Sequence, residues 1–126
     1  MANTQRPLSP HLQIYKPQLT SVMSILHRIT GVIAFVGAVC ILIWLISLAW
    51  DASLYVFLQE VAISIPVQVF LFLWSWALVY HLLNGVRHLV WDATKGLELP
   101  DIYKSGKLVI GLSIVLTVTI WALKAV

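Results

Sequence analysis

The chain has 126 residues, of which 60% are hydrophobic and only 10% are charged. This composition excludes an ordinary soluble globular domain, in which about a quarter of the residues carry a charge. The formal net charge of +3 follows from the membrane orientation derived below and calls for no nucleic-acid partner.

Residues 1–20 are polar and contain three proline dipeptides. The residue before a proline disfavours the helical conformation, so we expect an extended cytoplasmic arm here. The segment does not resemble a transit peptide, and the first apolar run begins too late and is too long for a cleavable signal peptide.

Three apolar runs without Lys, Arg, Asp or Glu follow the arm. At about 1.5 Å of rise per residue, the first two are roughly 33 Å long and the third roughly 24 Å, against a hydrocarbon core of about 30 Å. The sequence therefore predicts an all-α membrane protein with three transmembrane helices in one domain, 1–126. The runs are 29–50, 65–86 and 108–123, and the predicted spans are about 21–50, 65–91 and 106–124.

The lysines and arginines indicate the orientation, because these residues are enriched in cytoplasmic loops. Arg6, Lys16 and Arg28 precede or open the first span, and four more lie at or between the second and third spans. The segment 51–64, which we expect to be a loop between the first two spans, has none, and the C-terminal tail has only Lys124. We therefore expect the N-terminus in the cytoplasm or matrix and the C-terminus on the periplasmic side.

The segment 81–92, at the end of the second span, carries the most unusual side chains of the chain. Ionisable residues inside a membrane are costly and indicate a functional site by default. At 100° per residue, His81, Gly85 and His88 share one face of a helix, with Asn84 at its edge. This face presents two imidazoles with a glycine between them, where a flat group can approach closely.

A second cluster opens the first span. Ser24, His27, Arg28 and Gly31 share one helix face, and the predicted orientation puts them in the same leaflet as the histidines of the second span. A hydroxyl and a fixed cation in an apolar setting can bind a quinone carbonyl and stabilise the charge that develops as it is reduced. Ser24 and Arg28 are therefore candidate quinone-binding residues.

The histidines are candidate ligands of haem iron, because neutral imidazole is a common axial ligand. His81 and His88 lie about 10 Å apart along the helix axis, so one straight helix cannot place both on the same iron. The deeper His81 is the better axial ligand, and the opposite ligand would come from His27 or from another chain. The side chains nearer the membrane edge suit the haem propionates; they are His27, Arg28, Arg87 and His88.

Structural roles are the alternative for each of these side chains. Arg28, Arg87 and His88 would then extend to the membrane surface, and Ser24 would cap a helix. A buried His81 would bond to a neighbouring helix. The helical period alone does not decide between these roles and the functional ones.

Three stretches of the chain together resemble the cytochrome b subunits of succinate dehydrogenase, the larger of the two membrane anchors of complex II. The resemblance covers essentially the whole chain, and two separate motifs at the family's spacing make it specific. The stretches are 6–12, 24–31 and 81–92.

The resemblance implies partners as well as site residues. The chain would pair with a second anchor subunit and dock a flavoprotein and an iron–sulfur subunit, which hold the flavin and the clusters, and electrons from succinate would reach ubiquinone. The histidine matching His81 would ligate haem b, whose second axial histidine comes from the partner anchor. The residues matching Ser24 and Arg28 would line the quinone site, and those matching His27 and Arg28 would approach the propionates.

Other functions are consistent with parts of this sequence. A b-type anchor of another quinone-linked dehydrogenase or of a fumarate reductase shares the same chemistry. A non-redox scaffold or a transporter subunit is disfavoured, because the outer half of every span lacks ionisable groups and no proton path crosses it. We expect a multi-pass protein in the lipid of the bacterial inner membrane rather than the mitochondrial one.

Overall fold

A computed structural model of the chain describes residues 16–124. Within this range the regular secondary structure is all helical, and there is no strand. Residues 1–15, which include the 6–12 stretch and most of the expected arm, lie outside the described residues. The four helices are α1 (Leu19–Trp50), α2 (Ala52–Ala62), α3 (Ile65–Asp92) and α4 (Leu99–Lys124).

Helices α1, α3 and α4 are each long and apolar enough to cross a membrane. They have 32, 28 and 26 residues, against the roughly 20 that a bilayer requires. The predicted all-α class and the three candidate spans are confirmed.

The segment 51–64 is not the loop that the sequence suggests, because it contains helix α2. Asp51 ends α1 and starts α2. Its carboxylate accepts hydrogen bonds from the backbone N–H groups of Ser53 and Leu54, each at 3.0 Å. This cap satisfies two of the donors that a helix start leaves unpaired.

Helix α4 also begins earlier than the predicted span, at Leu99 rather than near residue 106. Pro100 fits the first turn of a helix, where its missing N–H is not needed. Asp101 adds a favourable negative charge to that turn. The link from α3 is short, and it turns through Thr94 and Gly96, whose φ angles are +57° and +66°.

Helix α3 is the central element and packs on both α1 and α4. The small apolar core lies at the end of the bundle where α1 and α4 begin and α3 ends, and consists of Met23, Tyr80 and Val109. The Tyr80 hydroxyl donates to the backbone oxygen of Met23 at 3.0 Å. Gly106 allows α4 close to α1, since a Cβ there would lie 2.8 Å from the Met23 sulfur.

Much of the remaining interior is polar. Small hydroxyl and amide groups between helices are common in membrane proteins, because they permit close packing and hydrogen bonds. Large apolar side chains cover the outside of all four helices instead. The buried polar and charged residues are Thr30, Ser47, Asn84, Arg87, Ser113 and Thr117.

Candidate functional site

Three histidine rings meet where α1 packs against α3. The rings of His27 and His81 are stacked, with centroids 4.0 Å apart and planes inclined by 8°. The ring of His88 is tilted against His27 at a centroid distance of 5.1 Å. The structure thus brings together the three histidines that the sequence singled out.

The hydrogen bonds of His81 select one tautomer of its ring. Its Nδ1 atom lies 3.1 Å from the backbone oxygen of His27 and 3.2 Å from the hydroxyl oxygen of Thr30. Because a carbonyl oxygen only accepts, Nδ1 must carry the hydrogen. In the neutral ring Nε2 is then the nitrogen with the free lone pair, which is the arrangement of histidines that bind metals.

Thr30 contributes to this arrangement, although no pattern in the sequence predicts a role for it. Its side chain is buried, and its hydroxyl donates towards the backbone oxygens of Leu26 and His27 at 2.8 and 3.0 Å. A threonine in a helix commonly makes such a bond to its own backbone. Because this bond is so common, a threonine in a helix does not by itself indicate a functional role. Only the position of Thr30 within the 24–31 motif associates it with the candidate site.

The two glycines beside the histidines differ in their surroundings. A Cβ on Gly31 would lie 3.0 Å from Cε1 of His81, so this glycine lets the imidazole lie against α1. A Cβ on Gly85 would meet no heavy atom within 4 Å. The helix is therefore open at Gly85 itself, while the ring of His27 lies against both His81 and His88.

The histidine cluster contains two further buried polar groups, one on His27 and one on Asn84. The Nδ1 atom of His27 is buried without a hydrogen-bond partner within residues 16–124. Asn84 is fully buried, with its Nδ2 atom 3.4 Å from Nε2 of His88. An unpaired buried nitrogen is costly in a native protein, so that of His27 is a natural contact for a polar group of a ligand.

Arg87 points towards α4. Its Nε donates to the Ser105 hydroxyl and its Nη2 to the backbone oxygen of Ile102, both at 2.9 Å. Its Nη1 donates to Asn84 at 3.4 Å, and the guanidinium carbon lies 3.9 Å from the centroid of the Trp91 ring. The guanidinium thus fastens α3 to α4, while its expected contact with a propionate stays a prediction.

Ser24 and Arg28 are exposed at the surface of this chain. His27 and Gly31, which the helical period puts on the same face, turn towards α3 instead. The predicted face is therefore divided, with a serine and an arginine facing outwards beside the histidine cluster. A ligand bound to both would also touch whatever covers this surface.

The donor set fits a haem. Within residues 16–124, no group of three or more His, Cys, Asp or Glu side chains is arranged to hold a metal ion. A haem brings its own equatorial nitrogens and needs only axial ligands and polar partners for its carboxylates. The Nε2 atom of His81 and the unpaired Nδ1 atom of His27 meet these two needs.

Comparison with known proteins gives a consistent result. A family model described as succinate dehydrogenase/fumarate reductase transmembrane subunit matches residues 2–120. The chain is 43% identical over 117 residues to the succinate dehydrogenase cytochrome b556 subunit of Rickettsia typhi, covering 93% of this chain and 91% of that protein.

Two more relatives extend the range of organisms. The cytochrome b556 subunit of Paracoccus denitrificans is 42% identical over 113 residues, covering 90% of this chain and 87% of that protein. The mitochondrial succinate dehydrogenase cytochrome B subunit of Schizosaccharomyces pombe is 41% identical over 117 residues, covering 86% and 63% respectively.

Proposed function

This chain belongs to the succinate dehydrogenase/fumarate reductase transmembrane subunit family, and we propose that it is the cytochrome b anchor of a succinate:ubiquinone oxidoreductase. In this role it binds haem b, contributes to the ubiquinone-reduction site and does not itself oxidise succinate. The related proteins described above carry succinate dehydrogenase names, which favours succinate oxidation over the fumarate reductase alternative.

The observation that carries the haem proposal is the bonding of His81. Its Nδ1–H is held by the backbone oxygen of His27, which leaves Nε2 as the ligand atom. The rings of His27 and His81 lie face to face with their centroids 4.0 Å apart, so no iron could be held between them. This stacking disfavours His27 as the second ligand and supports a histidine from the partner anchor.

The other polar side chains have supporting roles in the proposal. His27, whose Nδ1 has no hydrogen-bond partner among residues 16–124, binds a propionate together with Arg28 and His88, and Arg87 is kept as a further propionate contact. When bound, haem b supplies a one-electron redox centre next to the quinone site. These residues orient the haem and balance the charge of its carboxylates in the low-dielectric membrane.

Ser24 and Arg28 act on the quinone. They lie one helical turn apart and are both exposed, so they can reach a ligand that lies between this chain and a partner. The Ser24 hydroxyl donates a hydrogen bond to a quinone carbonyl. The Arg28 guanidinium stabilises the negative charge that develops on that oxygen during reduction.

The proposal includes partners and a location. The second anchor subunit covers part of the exposed apolar surface, and the iron–sulfur and flavoprotein subunits dock at the end of the bundle that holds the histidines. The flavin and the iron–sulfur clusters belong to those subunits. This end faces the cytoplasm, the C-terminus lies in the periplasm, and the membrane is the bacterial inner membrane.

The first test is an absorbance difference spectrum, succinate-reduced minus oxidised, of the purified complex. We expect a b-type haem signal with the natural chain, loss of most haem in His81→Ala, and a smaller loss in His88→Ala, which removes only a propionate contact. Full haem occupancy in His81→Ala would overturn the ligand assignment. Absence of haem from the natural complex under any reductant would favour the scaffold alternative.

The second test separates the quinone site from assembly. We expect Ser24→Ala and Arg28→Leu to lower the rate of ubiquinone reduction at least tenfold, while succinate oxidation by an artificial acceptor continues at the natural rate. Ser21→Ala, an exposed serine one turn earlier, is the matched control. Equal loss of both activities would indicate an assembly defect and contradict the proposed role.

A further inference from the structure

Two oxygen atoms of α1 converge on one nitrogen of His81. The backbone oxygen of His27 and the hydroxyl oxygen of Thr30 lie 3.1 and 3.2 Å from Nδ1. Thr30 is only 4% exposed, so its hydroxyl has no bulk water to bind in place of the imidazole. A backbone oxygen is available at any residue, whereas the hydroxyl depends on threonine or serine at this position.

The other bonds of Thr30 fix the direction of its hydroxyl group. Its single hydrogen is directed to the backbone oxygens of Leu26 and His27. The lone pairs of Oγ1 are then left for His81, so Thr30 is the acceptor and Nδ1–H the donor. The chain of bonds therefore runs from the imidazole through the hydroxyl to the backbone of α1.

We infer that Thr30 is a positioning residue that holds the His81 ring and tunes its strength as a ligand. This inference rests on the proposed axial role of His81. A hydrogen bond accepted from the second nitrogen makes a ligating imidazole more basic and fixes its orientation. A more basic axial ligand favours ferric over ferrous iron, so the hydroxyl lowers the reduction potential of the bound haem.

The test compares variants of Thr30 in the assembled, haem-loaded complex. Haem content and the midpoint potential are measured by redox titration of the haem absorbance band. We expect Thr30→Val, which has nearly the same shape without the hydroxyl, to keep its haem with a potential shifted to more positive values. Thr30→Ser, which retains the hydroxyl, should return to the natural potential.

Thr117→Val is the matched control. Thr117 is also buried and makes the same kind of bond to its own helix, to the backbone oxygen of Ser113 at 2.7 Å. It lies on α4 and contacts no histidine through that bond. We expect its removal to leave the haem potential unchanged.

The outcomes separate this inference from the proposed function. If His81→Ala keeps its haem, the axial assignment itself fails. If His81→Ala loses haem but Thr30→Val has the natural potential, or shifts no more than Thr117→Val, only the role of Thr30 is overturned. Failure of both Thr30→Val and Thr30→Ala to assemble, with Thr117→Val assembling, would assign Thr30 a purely structural role and also overturn the inference.

Discussion

Gly31 lies directly against the ring of the candidate haem ligand His81. An alanine Cβ there would lie 3.0 Å from Cε1 of His81, so the imidazole must move by a few tenths of an ångström. We expect Gly31→Ala to weaken haem binding about tenfold. Substitutions that disturb the groups orienting a metal-ligating histidine lower the metal affinity about 10–100-fold, and a small shift of the ring belongs at the lower end of this range. Haem retention during dilution in detergent measures this.

Gly111→Ala is the control for that substitution. A Cβ at Gly111 would meet no heavy atom within 4 Å, and alanine is the better helix former by about 1 kcal/mol. We expect this variant to retain haem and to be no less stable. Equal haem retention in the two variants would contradict a close approach of His81 to α1.

Arg87 gives a second prediction at the residue scale. Arg87 is 7% exposed, and its guanidinium donates to Ser105, Ile102 and Asn84. Bonds from a charged donor each contribute about 1.5–3 kcal/mol, so we expect Arg87→Leu to lower the free energy of unfolding by about 2–3 kcal/mol. Arg87→Lys should restore only part of this lost stability, because the lysine ammonium lacks the planar set of N–H donors of a guanidinium. Denaturant titration of the detergent-solubilised chain measures both.

Lys107→Ala is the comparison for Arg87, since Lys107 is exposed at the same end of the bundle. We expect a change within about 0.5 kcal/mol, as is usual for surface positions. Loss of haem in Arg87→Leu without any loss of stability would contradict the structural role and favour the propionate contact.

The sequence identified the histidines but not the direction of every side chain. His81, Gly85 and His88 could be grouped from the helical period, because three residues on one helix keep their relative angles. The period does not say which face of α3 meets α1 and which meets α4, since apolar residues surround this helix on all sides. The contact of Arg87 with α4 and that of Thr30 with His81 therefore needed the structure.

At the scale of elements, hydropathy found the three long helices and missed the short one. A membrane requires about 20 apolar residues in a spanning helix, so α1, α3 and α4 produce a strong signal. Helix α2 has 11 residues and lies where the sequence predicted a loop. Its best sequence signal was Asp51, a preferred helix-capping residue placed directly after the first apolar run.

The cap of α2 gives a prediction about Asp51. We expect Asp51→Ala to increase the exchange rates of the Ser53 and Leu54 amide hydrogens several-fold, because their common acceptor is lost. Hydrogen–deuterium exchange of the complex measures this. Ser64→Ala is the control, because Ser64 precedes α3 without a side-chain cap bond, and exchange at the start of α3 should not change.

The same cap depends on pH in a defined direction. The Leu54 backbone N–H, followed by the Ser53 hydroxyl, holds the pKa of the Asp51 carboxyl below its usual value. The contribution of the cap is therefore complete above the unfolded pKa of about 3.9 and is lost as the pH falls through the lower pKa of the folded state. If the Ser53 and Leu54 amide hydrogens were equally protected from exchange whether or not Asp51 is ionised, the capping geometry would be contradicted.

At the scale of the whole molecule, this chain exposes the outside of all its helices, and its candidate site is open on one side. The exposed residues include Phe35, which is 71% exposed, and Leu82, which is 66% exposed. Such a surface is covered by lipid or by other membrane helices. In the proposed function His81 supplies only one axial ligand, and Ser24 and Arg28 face outwards, so this function requires a second subunit against this side.

The orientation of the molecule decides where that site meets soluble partners. The distribution of lysines and arginines predicts that segment 93–98 is cytoplasmic and that α2 is periplasmic. Cys40 is the only cysteine, so Cys40→Ser provides a background for single-cysteine variants. Glu60→Cys on α2 and Lys95→Cys after α3 are the matched pair, because both positions are exposed.

The two variants should give opposite results with a membrane-impermeant maleimide. In intact bacterial cells we expect labelling of Glu60→Cys and not of Lys95→Cys, and in inside-out vesicles the reverse. Because His27 and His88 lie at the same end of the bundle as Lys95, labelling of Lys95→Cys in intact cells would put the histidine cluster in the outer leaflet. Electrons from a cytoplasmic iron–sulfur subunit would then have to cross the apolar half of the bundle, and the proposed docking side would be wrong.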